Sequence, residues 1–131
     1  IAEGPLLAGN LTVATHLLGT KHCPDLAGRV LLLEDIGEAP YRIDRLLTHW
    51  RLSGSLQQLA GLGFGRFEGC EAPEDDARPG FSLEHVLRER SLDLGIPVVG
   101  ELPFGHGQPN AALPLGRTVR LDGSSGTLSV L

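Results

Sequence analysis

Two residues in this chain have the type and setting for acid–base chemistry. Glu34 follows the apolar run Val30-Leu31-Leu32-Leu33. The switch from strand formers to acids marks the strand end where α/β folds carry functional side chains. Asp35 and Glu38 crowd it, and repulsion among neighbouring carboxylates is one means of shifting a pKa. His106 stands between Gly105 and Gly107, which leave the imidazole unshielded and free the backbone to take unusual angles. An unperturbed histidine titrates at about 6.5, which suits proton transfer at neutral pH. Each has a plainer reading. The acids would face water ahead of a helix beginning near Pro40 and complement its positive end, and His106 would be a turn residue that hydrogen-bonds locally.

The remaining residue types offer less. His16 and His85 fall in predicted helices, His49 lies on a polar helix side and His22 sits in a connector. No HExxH, CxxC or paired-histidine spacing occurs, so no metal site is expected. Gly61-Leu62-Gly63-Phe64-Gly65 lacks both the GxGxxG spacing and the lysine of a phosphate loop. Ser53, Ser55, Ser82, Ser91, Ser124, Ser125 and Ser129 occupy predicted helix ends, caps, turns and a terminal strand, and none lies in a GxSxG elbow. Cys23 and Cys70, without a secretory context, read as reduced thiols. A histidine with a carboxylate partner but no nucleophile is two thirds of a triad.

The elements that would hold these residues can be read from periodicity and caps. Residues 1–9 read as an entry strand or loop ending in a glycine turn, and Asn10 stands where a helix N-cap belongs. Leu11, Ala14, Leu17 and Leu18 then follow at helical spacing, with Gly19 at the left-handed stop. Residues 29–33 are a strand buried on both faces, ending at Glu34-Asp35. Pro40 suits the first helical turn, and Ile43, Leu46, Leu47 and Trp50 form one apolar stripe that runs to a stop at Gly54. Residues 61–67 are a glycine-rich strand, of the kind tolerated where a backbone or ligand approaches closely. Five acids, two prolines and a Pro-Gly turn make 68–80 a solvated loop. Ser82 can cap a helix on which Phe81 staples to Val86, with Leu83, Val86 and Leu87 on its apolar face. Residues 96–102 read as a strand, and 117–121 pairs with 127–131 across a hairpin turn. Helices interleave with strands early and strands dominate late, which predicts α/β layers with some antiparallel pairing.

With 131 residues the chain is sized for one domain. Its 41% apolar and 21% charged residues are those of a folded protein, and 18 glycines and 9 prolines imply many turns around short elements. A net charge of −5 argues against a general partner in nucleic acid or anionic membrane. No apolar run approaches the ~20 residues of a membrane span. The chain holds no methionine and opens Ile-Ala-Glu-Gly, so a piece of a longer polypeptide is expected, with the missing nucleophile upstream.

Three segments carry a family likeness: Ala8-Gly9-Asn10-Leu11, the run LEDIGEAPYRIDR at 33–45, and LPFGHGQPN at 102–110. Together, in this order and separation, they resemble the serine LD-carboxypeptidases, the murein tetrapeptide carboxypeptidases to which the microcin-immunity peptidases are related. The likeness runs nearly end to end but covers only that family's C-terminal domain, so residues 1–131 would be that domain. Ala8 stands where a second glycine is usual. The resemblance implies a swivelling β/β/α layered domain with mixed parallel and antiparallel strands. It also implies a Ser-His-Glu triad divided between two domains, with Glu34 and His106 here and the serine on a sharp turn of the N-terminal domain. Asp35 and Glu38 match the motif but not the triad position.

In family terms the enzyme is a cytoplasmic, cofactor-free and often homodimeric hydrolase of peptidoglycan recycling. It cleaves the amide between an L-centre diamino acid and terminal D-alanine of a murein peptide. The substrate's carboxylate calls for a cationic clamp; Arg42 and Arg45 lie near the motif, but neither can be assigned that role. This domain alone would be inactive for want of a nucleophile. The rival reading is a non-catalytic binding or docking module on the same scaffold.

Overall fold

The computed structural model describes residues 1–76 and 81–131. Its elements in chain order are β1 (Ala2–Asn10), α1 (Leu11–Thr15), β2 (Val30–Ile36), α2 (Pro40–Leu52), β3 (Gly61–Glu68), α3 (Leu83–Ser91), β4 (Val98–Val99), β5 (Thr118–Asp122) and β6 (Thr127–Val130). Among the described residues the strands form one six-stranded sheet in the order β4-β3-β2-β1-β5-β6. The four strands from β4 to β1 run parallel, and β5 and β6 add antiparallel to the other side of β1. The α/β class with mixed pairing is therefore as the sequence leads one to expect. No helix among the described residues is long and apolar enough to cross a membrane.

Strand alternation divides the core in two. Leu31 and Leu33 of β2 join Leu62, Phe64 and the buried faces of α2 and α3, where Ile43, Leu47, Trp50, Leu83 and Val86 converge. Val30 and Leu32 point to the opposite face, against Leu6, Val119, Leu121 and two residues from the irregular chain after β4, Leu102 and Phe104. β2 is thus buried on both sides, which is why its sequence is an unbroken apolar run. Helix α2 has Pro40 in its first turn. The indole N–H of Trp50 donates to Thr15 Oγ1 at 2.8 Å, and that hydroxyl donates to the Leu11 carbonyl. Ser82 caps α3 by accepting from the His85 N–H at 3.1 Å. The Arg51 guanidinium forks onto the Asp93 carboxylate with two contacts of 2.7 Å, fastening α2 to the turn that follows α3.

Four expectations need correction. Helix α1 stops at Thr15 instead of running to Leu18, and the chain turns on to Gly19 at φ +77°. Of that helix only Leu11 and Thr15 are buried, and Ala14 and Leu18 pack against the core only in part, so little buried surface supports a longer one. β2 does not end at Leu33 but carries Glu34 and Asp35 inside the strand, because both carboxylates find donors there. The strand expected over 96–102 is reduced to Val98–Val99; the chain leaves the ladder where Glu101 takes φ +55°, then returns to β3 through single bonds from Leu102 N–H to the Phe64 carbonyl and from Arg66 N–H to the Phe104 carbonyl. Phe81 is exposed, not a covered staple. Of the acidic loop, 74–76 form a short 3-10 turn, and the Pro79-Gly80 turn lies outside the described residues.

The glycines of β3 serve the close approach inferred for them. A Cβ on Gly63 would collide with Leu32 and Leu102. One on Gly65 would lie 2.7 Å from the Phe104 ring and from its carbonyl oxygen. Gly65→Ala is therefore expected to cost about 1–3 kcal/mol by overpacking. Gly100→Ala, whose added methyl would meet nothing within 4 Å, should leave the urea midpoint nearly unchanged. Equal midpoints for the two variants would contradict this packing.

Candidate active site

The parallel strands bring their C-terminal ends to one edge, and there Asn10 of β1 is the register partner of Glu34 of β2. One residue later the alternation reverses. Glu34 shares its face with Val30 and Leu32, over which the 102–106 segment lies, whereas Asp35 shares the helical face with Leu31 and Leu33. The β2–β3 register shifts here: two steps of β2, Leu33 to Asp35, oppose three of β3, Phe64 to Phe67. The extra residue is a bulge in β3, a device that bends a strand and re-aims its neighbours. It places the Arg66 carbonyl beneath Gly105.

His106 meets Glu34 at this edge although 72 positions separate them in the chain, with Nδ1 2.7 Å from Oε2. The Glu34 side chain is 9% exposed and the imidazole 47%. The carboxylate is thus held in the wall while the ring reaches into solvent. An ionised carboxylate can only accept, so a neutral imidazole in this contact carries its proton on Nδ1 and keeps Nε2 as the acceptor. The loop bearing His106 is fixed from within. Leu102 and Phe104 are buried, the Gly105 N–H donates to Asn110 Oδ1 at 3.1 Å, and the Ala111 N–H donates to the Pro103 carbonyl at 2.7 Å. Gly105 has φ +117°, and a Cβ there would stand 3.0 Å from Glu34 Oε2 and 3.1 Å from the Arg66 carbonyl. The glycine before the histidine is thus needed both for its backbone angle and for the space it leaves to the carboxylate.

The pair opens onto a shallow concavity of about 530 Å³, walled by Ala8–Asn10 and Glu34 on one side and by Phe104–His106, Asn110, Ala111, Leu113 and Leu115 on the other. Among the described residues its lining offers no hydroxyl or thiol. Burial pushes the Cys70 thiol above its ordinary pKa, with the charges of Asp35 and Glu38 adding to the effect, so it is held protonated and weakly nucleophilic. A larger concavity of about 850 Å³ lies between β3 and α3 and does not include His106.

The other candidates disperse. Asp35 is buried beside Glu34, but Asn10 stands between them: its amide nitrogen is 3.0 Å from Asp35 Oδ1 and 3.4 Å from Glu34 Oε1. The crowding of acids is relieved by a shared donor. Glu38 turns to Arg42 at 3.4 Å. Arg42 and Arg45 lie over the Tyr41 ring, 5.8 and 5.7 Å from its centroid, and neither lines the concavity. His85 pairs with Glu89 along α3, and His16, His22 and His49 are exposed. Asn10 is the residue whose part at the site the sequence conceals. Its N-cap role is readable and real, since Oδ1 accepts from the Val13 N–H at 3.0 Å, yet the same side chain also supplies the donor to Glu34. Its position at a strand end facing a carboxylate is a signal only once the strand register is known.

Comparison with known proteins identifies the family. The pattern of the LD-carboxypeptidase C-terminal domain matches residues 3–121. A Synechocystis sp. protein named as a carboxypeptidase is 56% identical over 131 residues, all of this chain and 43% of that protein. The murein tetrapeptide carboxypeptidase of Pseudomonas aeruginosa is 39% identical over 127 residues, 93% of this chain and 39% of that one. The crystal structure of muramoyltetrapeptide carboxypeptidase from Oxalobacter formigenes superposes with a TM-score of 0.85 at 37% identity, covering 97% of this chain and 44% of that one. The chain therefore spans less than half the length of these relatives.

The geometry of the pair predicts the effect of one methyl group. Gly105→Ala is expected to force the His106–Glu34 contact apart, from 2.7 Å to beyond hydrogen-bonding distance. A crystal structure of the variant measures this directly; an unchanged separation would remove the steric role given to Gly105.

Proposed function

Because the chain belongs to the LD-carboxypeptidase family, as its C-terminal domain, we propose that it is the triad-completing half of a serine hydrolase acting on murein peptides. The observation that carries this reading is the 2.7 Å contact between a buried carboxylate and a half-exposed imidazole, at the wall of a concavity whose described lining holds no nucleophile. The nucleophilic serine would come from an N-terminal domain, which the length of the relatives leaves room for.

In this mechanism His106 Nε2 takes the proton of the serine hydroxyl as its oxygen bonds to the scissile carbonyl carbon. The same nitrogen then gives that proton to the departing amine of D-alanine, leaving an acyl-enzyme. Water enters by the reverse sequence: His106 removes its proton, the new C–O bond forms, and the serine oxygen leaves with the proton returned. Glu34 remains ionised throughout, fixing the Nδ1–H tautomer and stabilising the imidazolium. Donors for the oxyanion belong with the serine, as backbone N–H groups of its turn. The substrate assignment follows the names borne by the Pseudomonas and Oxalobacter relatives, and a cytoplasmic, recycling role goes with it.

The test uses the full-length protein and a murein tetrapeptide ending in D-alanine, with released D-alanine measured. His106→Ala is expected to lower kcat by about 10⁴-fold or more, and Glu34→Gln by about 10²–10⁴-fold. The present chain alone should release none. Full activity in His106→Ala would favour a non-catalytic docking module, and turnover by the chain alone would place a nucleophile within it.

A further inference from the structure

Asp35 is 2% exposed, and nothing in the acid–base chemistry above uses it. A buried carboxylate is costly unless donors surround it, and here four do. Oδ2 accepts from the Thr12 N–H at 2.9 Å and from Thr12 Oγ1 at 2.7 Å. Oδ1 accepts from Asn10 Nδ2 at 3.0 Å and from the Ile36 N–H at 2.8 Å. No cation pairs with it among the described residues. The group is held by neutral donors, three of them from β1 and α1, which are remote from it in sequence, and one from the adjacent Ile36.

The consequence lies in Asn10. Its Oδ1 is committed to the Val13 N–H, which fixes which end of the amide faces the carboxylates and removes the usual ambiguity of an asparagine flip. One side of Nδ2 is then taken by Asp35, which leaves the other directed at Glu34 Oε1, 3.4 Å away. Glu34 in turn has its second oxygen on His106. The order of contacts is Asp35 to Asn10, Asn10 to Glu34 and Glu34 to His106, and it crosses the sheet edge from the helical face to the open one.

We propose that Asp35 is a positioning residue for the imidazole: it locks the Asn10 amide, and through it the rotation of the Glu34 carboxylate that aligns His106. This inference rests on the proposed function, since alignment matters only if His106 transfers protons.

The experiment is a double-variant cycle in the full-length enzyme, read as kcat and KM for D-alanine release, with His106→Ala as reference. Asp35→Asn keeps the shape but replaces one accepting oxygen with a competing donor. Asn10→Ser keeps an N-cap oxygen for Val13 and deletes both amide donations. Each single variant is expected to lower kcat at least tenfold with KM within about twofold. The double variant should be no more than about threefold slower than the worse single, because both act through one path. Thr12→Val, which removes one of the four donors, should fall between wild type and Asp35→Asn; it replaces Asp35→Asn in the cycle if that variant does not fold. Multiplying losses in the double variant, or losses confined to KM, would overturn the positioning role while leaving His106 catalytic. If His106→Ala itself keeps full activity, the functional reading fails, and this inference with it.

Discussion

Two carboxylates on consecutive residues, both nearly buried, are the constraint around which the rest of this domain is arranged. Desolvating one ionised carboxylate is costly, and placing a second beside it adds repulsion. The structure resolves this by alternation. Glu34 and Asp35 point to opposite faces of β2, and each is given its own donors, a histidine for the first and the Thr12 hydroxyl and amide for the second. Asn10 serves both. Removing any of these donors leaves a buried acceptor short, which explains why neutral and modestly sized groups cluster so densely at this one sheet edge.

The close packing of the loop onto the sheet follows from that arrangement. To reach Glu34, the 102–106 segment must lie directly on β3, and side chains on β3 would obstruct it. Gly63 and Gly65 open the space, and Leu102 and Phe104 fill it. Burial of those two side chains, worth about 1.5–3 kcal/mol each, is what holds an otherwise irregular loop at a fixed height over the strand. The bulge opposite Glu34 completes the fit by presenting the Arg66 carbonyl under Gly105. The imidazole therefore stands on a packed support although it belongs to no helix or strand.

The relatives extend well beyond the matched region, and the concavity beside His106 is wide, shallow and without a nucleophile among its described residues. An open surface of this kind is suited to completion by a second domain.

Much of this was legible in the sequence. The apolar run 30–33 read as a strand buried on both faces, the stripe Ile43, Leu47 and Trp50 behind Pro40 read as an amphipathic helix, and Asn10 and Ser82 announced their helices because capping is local chemistry. Glu34 and His106 stood out by their settings, and their pairing was implied by family likeness. What the sequence by itself could not determine was everything that depends on register across strands. That Asn10 faces Glu34, that β2 carries its acids inside the strand, and that the expected strand over 96–102 shrinks to two residues all depend on backbone pairings between distant segments. Propensity is a property of neighbours in the chain. The partner of a buried carboxylate is chosen by the fold, and only tertiary structure brings a glycine-framed histidine across 72 positions to meet it.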